Sequence, residues 1–137
     1  MPAQKHSLLA LTMTATALIA ENLAVKYSGV QCDTQGEKVL GVACYGAAIG
    51  ANYAVDVIGT TKIIAGDDVA VGDSLIVDSE GRAIPSSGAL AVAAGATAVT
   101  SSAANGEILE GAELPEFVFA DALQAGAVGD LIEIKLR

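Results

Sequence analysis

Apolar and polar residues alternate with a period of two along the first part of this chain. In residues 9–18, Thr12, Thr14 and Thr16 stand between leucine, methionine and alanine residues. Successive side chains of a β-strand point to opposite faces, and β-branched residues are favoured there. The pattern therefore predicts a half-buried strand at residues 9–18.

The C-terminal residues show the same alternation. Ile132, Ile134 and Leu136 are expected to face the core, and the charged residues between them to face solvent. This predicts a strand at residues 131–136 in a sheet that has one face exposed to solvent.

Short apolar runs bounded by Gly, Asp, Asn and Ser predict further strands between these two. In chain order, the predicted strands cover residues 9–18, 22–27, 38–45, 51–59, 61–65, 74–78, 89–93, 116–122 and 131–136. So many short strands predict an all-β fold, either a small antiparallel barrel or a two-sheet sandwich.

We expect one β domain over residues 1–137, with residues 1–7 as a flexible N-terminal arm and residues 98–115 as an extended loop or insertion. The small-residue tract at residues 86–104 fits either a strand packed on another subunit or a mobile loop.

The N-terminus also has features of a secretory signal peptide, because Lys5 and His6 precede an apolar run. The threonine alternation favours a strand over a helical signal segment. At roughly 14 residues, the run is also shorter than the ~20 that a spanning helix needs.

Composition limits the function classes. Hydrophobic residues make up 53% of the chain, but aromatic residues only 4%, and Trp is absent. A core of Ala, Val, Ile and Leu suits closely packed sheets better than a roomy cofactor pocket.

The charge balance points away from nucleic acid. The chain has 16 acidic and 7 basic residues, a formal net charge of −9. Binding to a phosphate backbone needs clustered Lys and Arg. We therefore expect no nucleic-acid or membrane partner, and an acidic surface that faces solvent or a basic protein.

The reactive side chains do not form a recognisable catalytic set. His6 is the single histidine and lies in the predicted arm, where it cannot serve as the base of a Ser-His-Asp triad. Cys32 and Cys44 are expected to be buried thiols. A disulfide between them is geometrically possible, but a protein assembled in the bacterial cytoplasm would keep both reduced.

Two groups of acidic residues remain as candidate sites. One comprises Asp67, Asp68, Asp73, Asp78 and Glu80, and the other Glu107, Glu110, Glu113 and Glu116. The first does not follow a calcium-loop spacing and is interpreted as solvated turn carboxylates. The second is interpreted as a solvated loop or a docking edge toward a basic neighbour. We therefore expect no catalytic, metal or cofactor-binding residues, and no enzymatic activity.

Six motifs occur in a fixed order along the chain. They are an alternating strand at residues 9–18, Gly41-Val42-Ala43, Val55-Asp56-Val57-Ile58-Gly59, Gly72-Asp73-Ser74-Leu75, Asp78-Ser79-Glu80-Gly81-Arg82-Ala83 and Ala127-Val128-Gly129-Asp130-Leu131-Ile132-Glu133-Ile134. In this order the chain resembles the capsid cement (head decoration) proteins of tailed bacteriophages, a family long described as a domain of unknown function. Residues 98–115 depart from the family pattern by their greater length.

The resemblance implies a structural protein that binds the outside of the phage head and clamps neighbouring major capsid protein subunits. It also implies a homotrimer assembled in the host cytoplasm. One alternative is a small secreted or periplasmic β-barrel binding module with a cleaved signal peptide. Another is a biotinyl or lipoyl carrier, but the hairpin tip Ser79-Glu80-Gly81 lacks the lysine that such carriers modify.

Candidate capsid-contact residues lie in two segments. The first is the predicted arm, with Pro2, Gln4, Lys5 and His6, because chain ends without apolar periodicity often become ordered on a partner. The second is the segment from residue 107 to residue 119, with Leu114, Phe117 and Phe119 as its apolar anchors.

Overall fold

The structure is a computed structural model that describes residues 3–86 and 116–137. In these two ranges the chain forms strands and no helix. The strands are β1 (His6–Thr14), β2 (Ala24–Lys26), β3 (Val39–Ala43), β4 (Asn52–Ile64), β5 (Ser74–Val77), β6 (Ala83–Pro85), β7 (Ala120–Ala122) and β8 (Leu131–Leu136). The all-β prediction is confirmed. Across the described ranges, no helix has the length and apolar character needed to cross a membrane.

Strand β4 organises the sheet. It is 13 residues long and pairs along both edges. Val55 lies between Leu11 of β1 and Ala43 of β3, and Thr60 lies between His6 of β1 and Lys135 of β8. One edge of β4 is therefore covered by β1, and the other edge by β3 and β8 in succession.

The remaining strands bring the sheet back on itself. Its order is β2-β3-β4-β8-β7-β5-β6, with β1 attached to β4. A parallel bridge joins Ala65, directly after β4, to Ala83 at the start of β6. The path from β4 through β8, β7, β5 and β6 therefore nearly closes into a small barrel, one of the two architectures predicted.

The buried side chains form two clusters on opposite faces of β2 and β3. Ala24 and Val42 point into the larger cluster inside the barrel, whereas their neighbours Val25 and Ala43 point into the smaller one. This division follows from the two-residue period of a strand. The smaller cluster is built around Tyr53, whose side chain is fully buried.

Tyr53 supplies a first stability prediction. Its hydroxyl donates a 2.6 Å hydrogen bond to the carbonyl oxygen of Gly29. Tyr53→Phe should lower the free energy of unfolding by about 1 kcal/mol, because it leaves a buried carbonyl without that donor. Denaturant unfolding monitored by circular dichroism would measure the loss. Tyr45→Phe, at a half-exposed ring, should change the free energy of unfolding little, and an equal loss in both variants would contradict the role given to the Tyr53 hydroxyl.

The predicted strands agree with the structure to different degrees. Residues 131–136 are confirmed to the residue. The alternation within them holds except that Glu133 is buried. The strand predicted at residues 9–18 begins and ends earlier, as β1, so that His6 and Ser7 of the predicted arm are paired with β4. The prediction that this strand is half-buried is wrong, because only Met13 of β1 packs against a core cluster and the other residues of the strand are exposed.

Other strand boundaries differ more. The break predicted between residues 51–59 and 61–65 is wrong, because both lie in β4. Gly59 adopts a φ of +109° there, and the chain continues as a strand with β1 and β8 beside it. Strand β6 was not predicted. The strand expected at residues 89–93 and the insertion expected at residues 98–115 lie outside the described residues.

The described strands contain an internal structural repeat. In the first half, Ile19 and Ala47 exchange two backbone hydrogen bonds of 2.9 Å. In the second half, Val69 and Gly126 exchange two in the same way, of 2.8 and 3.0 Å. Each pair of hydrogen bonds joins two loops of the chain.

The strands that lead into these loops are paired in the same register in both halves, counted from the bridged residues. Thr12 of β1 pairs with Ala54 in the first half of β4, and Lys62 in the second half of β4 pairs with Glu133 of β8. The first half of β4 thus belongs to one repeat and its second half to the other.

Each repeat ends in a tip made of two loops. We call residues 15–23 and 44–51 the N-terminal tip, and residues 65–73 and 123–130 the C-terminal tip. The N-terminal tip adjoins the start of β4 and the C-terminal tip its end. At about 3.3 Å per residue, the two tips are roughly 40 Å apart along this strand.

Candidate docking surfaces

The motif at residues 78–83 is structural. Asp78 accepts hydrogen bonds of 2.8 Å from the backbone N–H groups of Glu80 and Arg82, and its other carboxylate oxygen accepts one of 2.8 Å from Arg82 Nε. Gly81 has a φ of +81°, as the left-handed turn position requires. The carboxylate and the glycine together fix this turn.

The aspartates of the two Gly-Asp motifs stabilise the two turns of the C-terminal tip. Asp73 accepts a 2.9 Å hydrogen bond from the backbone N–H of Ala70, and Asp130 accepts one of 2.9 Å from that of Ala127. Both carboxylates thus satisfy donors within their own turns, which is a common role of turn aspartates.

Two of the remaining carboxylates of the first acidic group also have partners. Asp67 accepts a hydrogen bond from the backbone N–H of Asp68, and Glu80 forms an ion pair with Arg82 at 3.2 Å. Among residues 3–86 and 116–137, no three potential metal-ligating side chains lie close enough together to hold an ion.

The cysteines are both free thiols. Cys32 is buried, and burial raises its pKa to about 12, so it stays protonated near neutral pH. Cys44 is half-buried, and burial raises the pKa of this thiol as well. The prediction of buried thiols is confirmed for Cys32 and is only partly correct for Cys44.

The predicted arm makes specific contacts with the body of the protein. Lys5 Nζ lies 2.9 Å from Oδ2 of Asp56, whose side chain is 1% exposed. Thr61 donates a 2.8 Å hydrogen bond to the same carboxylate oxygen. A buried carboxylate is costly without a counter-charge, so Lys5 holds the start of the chain against β4.

The pKa directions agree with this ion pair. Burial alone would raise the pKa of Asp56, but the hydrogen bonds from Lys5 and Thr61 outweigh burial and lower it. Burial would lower the pKa of Lys5, but its contacts with Cys44 and Asp56 raise it. The charged forms of both side chains are therefore favoured in the folded protein.

The other arm residues lie beside the same strands. The backbone N–H of Gln4 donates a 3.3 Å hydrogen bond to Glu133, and that of His6 donates one of 3.0 Å to the Thr60 hydroxyl. The side chains of Gln4 and His6 remain exposed. Pro2 lies outside the described residues.

Strand β1 presents an unusual amount of apolar surface. Leu8 is 80% exposed, and Leu9 and Leu11 are each more than 40% exposed. From Ser7 to Thr14 no residue is charged. Within the described residues β1 pairs only with β4, so its other edge has no strand partner there. Such an uncharged edge can accept another polypeptide.

A groove lies between β3 and β8, beside the edge of β4 that both strands share. Its volume is about 180 Å³, and its lining includes Val57, Phe117 and Leu136. Lys38 Nζ lies 5.2 Å from the centre of the Tyr27 ring at its border. Small-molecule pockets are commonly ~300–1,000 Å³. The groove therefore fits a side chain of a protein partner better than a cofactor.

The second predicted contact segment divides into parts with different environments. Phe117 is 42% exposed and lines the groove. Phe119 also borders the groove, but its side chain is almost fully buried in the larger core cluster. Leu114 lies outside the described residues. Phe117 is thus the member of this set that offers substantial surface in the described part of the chain.

Sequence reasoning did not identify the groove or the tips. Tyr27, Lys38 and Phe117 are far apart in the sequence and meet only because β3 and β8 share one edge of β4. At the N-terminal tip, the exposed residues Leu18 and Ile49 belong to no sequence motif that would have indicated a surface site. A signal did exist in the sequence, since Ala-Val-Gly-Asp occurs at both turns of the C-terminal tip.

The described residues combine a small β barrel with an exposed apolar strand and a narrow groove. The fold has a solved counterpart described as the head fiber gp8.5 N base of bacteriophage phi29, with a TM-score of 0.60 and 19% identity over 94% of this chain and 93% of that one. At this identity the match shows the fold alone. No curated protein matches the chain.

A family model described as phage cement protein matches residues 3–114. The chain belongs to the phage cement protein family and is a structural protein of the phage head. The match ends before β7 and β8, although β8 lies directly beside β4 in the sheet.

Proposed function

We propose that this protein binds the outer surface of an assembled phage head and stabilises it by clamping neighbouring major capsid protein subunits. The observation that carries the proposal is the exposed, uncharged edge of β1 in a chain that belongs to the cement family. A strand of the shell could extend the sheet there through main-chain hydrogen bonds, while the leucines supply apolar contact.

The N-terminal residues are proposed as part of this contact. Lys5 fixes the point at which the chain leaves the body, and Gln4 and His6 flank it with exposed side chains. Gln4 lies just before β1, and Pro2 precedes it in the sequence; in the proposal both contact a subunit next to the one that pairs with β1. Contact with two subunits at once is what a clamp requires.

The second proposed contact is the groove, through Phe117 on its border, with Leu114 and Phe119 as neighbours in the same segment. Aromatic side chains at a pocket border are common anchors of protein interfaces. This contact would be weaker than that of β1, because the groove is small.

The proposal includes a homotrimer without enzymatic activity. Several weak contacts per trimer would act together, since one engaged site raises the effective concentration of the others. The net charge of −9 favours a location on the outside of the shell, away from the packaged DNA.

Co-sedimentation with purified heads that lack the protein tests the proposal. Leu8→Lys with Leu9→Lys should weaken binding roughly tenfold or more, because two exposed leucines would no longer be buried in the contact. Removing residues 2–4 keeps Lys5 and should also weaken binding. Phe117→Ala should weaken it less.

A matched control separates this effect from a general change of charge. Val71→Lys with Val128→Lys places two lysines at similarly exposed apolar residues of the C-terminal tip. This variant should bind heads as the parent does. Full binding by the Leu8→Lys, Leu9→Lys variant would show that β1 is not the contact.

A further inference from the structure

The two tips have the same architecture but different charge. The C-terminal tip carries Asp67, Asp68, Asp73 and Asp130, whereas the N-terminal tip carries a single acidic residue, Glu21. Both tips expose apolar residues at their turns. The N-terminal tip is therefore an apolar surface with little charge on a strongly acidic molecule.

The exposed side chains of the N-terminal tip are large. Leu18 is 74% exposed, Tyr45 51% and Ile49 75%. Leu18 precedes Ile19, and Tyr45 and Ile49 stand two residues to either side of Ala47, its bridge partner. All three residues therefore lie within two residues of this one bridge.

The internal repeat shows that the fold does not require Leu18 or Tyr45 at these positions. Asp68 precedes Val69 as Leu18 precedes Ile19, and Gln124 stands two residues before Gly126 as Tyr45 does before Ala47. The same backbone thus carries an acid and an amide at the C-terminal tip. Leu18 and Tyr45 are not needed to form the loops, so their exposure calls for a role outside the fold.

We infer that copies of this chain associate with one another through the N-terminal tip. Each copy carries a net charge of −9, so two copies repel each other unless they meet where charge is sparse. Close to a symmetry axis each residue also faces its own equivalents, and an acidic residue would there meet another acid. Leu18, Tyr45 and Ile49 avoid this repulsion, whereas the four aspartates of the C-terminal tip do not.

The residue composition of the N-terminal tip also supports a second copy of this chain as the partner. Interface centres are depleted in charged residues and enriched in aromatic ones, of which Tyr45 is an exposed example. The inference deepens the proposed homotrimer by naming the surface that forms it. It leaves β1 and the groove free for the shell.

The test transfers the C-terminal residues to the N-terminal tip. Leu18→Asp with Tyr45→Gln installs the side chains that the second repeat carries at these positions, so the variant should fold with an unchanged circular dichroism spectrum. In sedimentation velocity experiments on free protein at increasing concentration, the parent should associate, and the variant should do so at least tenfold more weakly. Val128→Asp, at the C-terminal tip, should associate as the parent does.

The possible outcomes are distinct. A parent that stays monomeric throughout the concentration series, or a variant that associates like the parent, would overturn the inference. A variant that is monomeric but still binds heads supports it and leaves the shell contact in place. A variant that associates normally but no longer binds heads overturns it and assigns the tip to the shell. The inference rests on the proposed homotrimer, but the sedimentation experiment contains no heads, so its failure is separate from failure of the proposed binding to the shell.

Discussion

Gly41→Ala should lower the free energy of unfolding by about 3 kcal/mol, which corresponds to a fall of roughly 12 °C in the melting temperature. A Cβ atom on residue 41 would overlap the backbone oxygen of Asp56 and also press on Val55. Both belong to β4, which β1 holds on its other edge and which cannot move away. The overlap therefore has to separate β3 from β4 or distort both strands.

Gly72→Ala is the matched comparison. A Cβ atom there would meet nothing, but the backbone has a φ of +89°. Gly72→Ala should lower the free energy of unfolding by about 1 kcal/mol, the usual penalty for a residue with a side chain in the left-handed conformation. Thermal melts of both variants would measure the difference. Equal falls in the melting temperature would show that the close approach of β3 and β4 at Gly41 does not exclude a side chain there.

Lys5→Met should destabilise the protein by about 2 kcal/mol, because it leaves the Asp56 carboxylate buried without its counter-charge. Breaking a fully buried ion pair commonly costs ~3–5 kcal/mol, and the smaller value allows for the partial exposure of Lys5. Adding Asp56→Asn to this variant should recover part of the loss. Lys135→Met, at an exposed lysine, should have an effect within about 0.5 kcal/mol.

The effect of Lys5→Met should depend on pH. The pKa of Asp56 is lowered in the folded protein, so its contribution is present above its ordinary value of 3.8 and is lost as the pH falls through the folded value. The difference between parent and variant should therefore shrink below pH 3.8. Urea unfolding at neutral pH and at pH 3 would measure it. A constant difference would exclude Asp56 as the group responsible.

Local sequence signals predicted the parts of the fold that local physics determines. The alternation at residues 131–136 gave β8 correctly, because one face of that strand packs in the core. The Asp78 and Gly81 motif gave its turn, because a carboxylate that caps nearby N–H groups and a left-handed glycine are both local requirements. The many short apolar runs bounded by turn residues also gave the all-β class.

The internal repeat was harder to see from the sequence. The turns of the C-terminal tip both read Ala-Val-Gly-Asp, but those of the N-terminal tip read Ala-Glu-Asn-Leu and Ala-Ile-Gly-Ala. Asn22, with a φ of 59°, stands where Gly72 stands in the second repeat. Backbone conformation and hydrogen bonds were kept while the side chains diverged, so only the structure shows the correspondence.

The contacts of the N-terminus also depended on the fold. Lys5 has no sequence neighbour that would anchor it, and the expectation of a flexible arm followed from that. Its partner Asp56 looks like an ordinary polar residue of an edge strand. Its carboxylate is buried because Lys5, Thr61 and Cys44 lie against it in the folded protein.

Electron microscopy of phage heads with and without the protein tests the central proposal most directly. A reconstruction of heads to which the protein has been added should show extra density on the outer surface at junctions between capsid subunits, with β1 facing the shell. The decorated heads should also rupture at a higher temperature, because a ligand that binds only the intact shell stabilises it by mass action. Density on the inner surface, or heads without added density at saturating protein, would contradict the proposal.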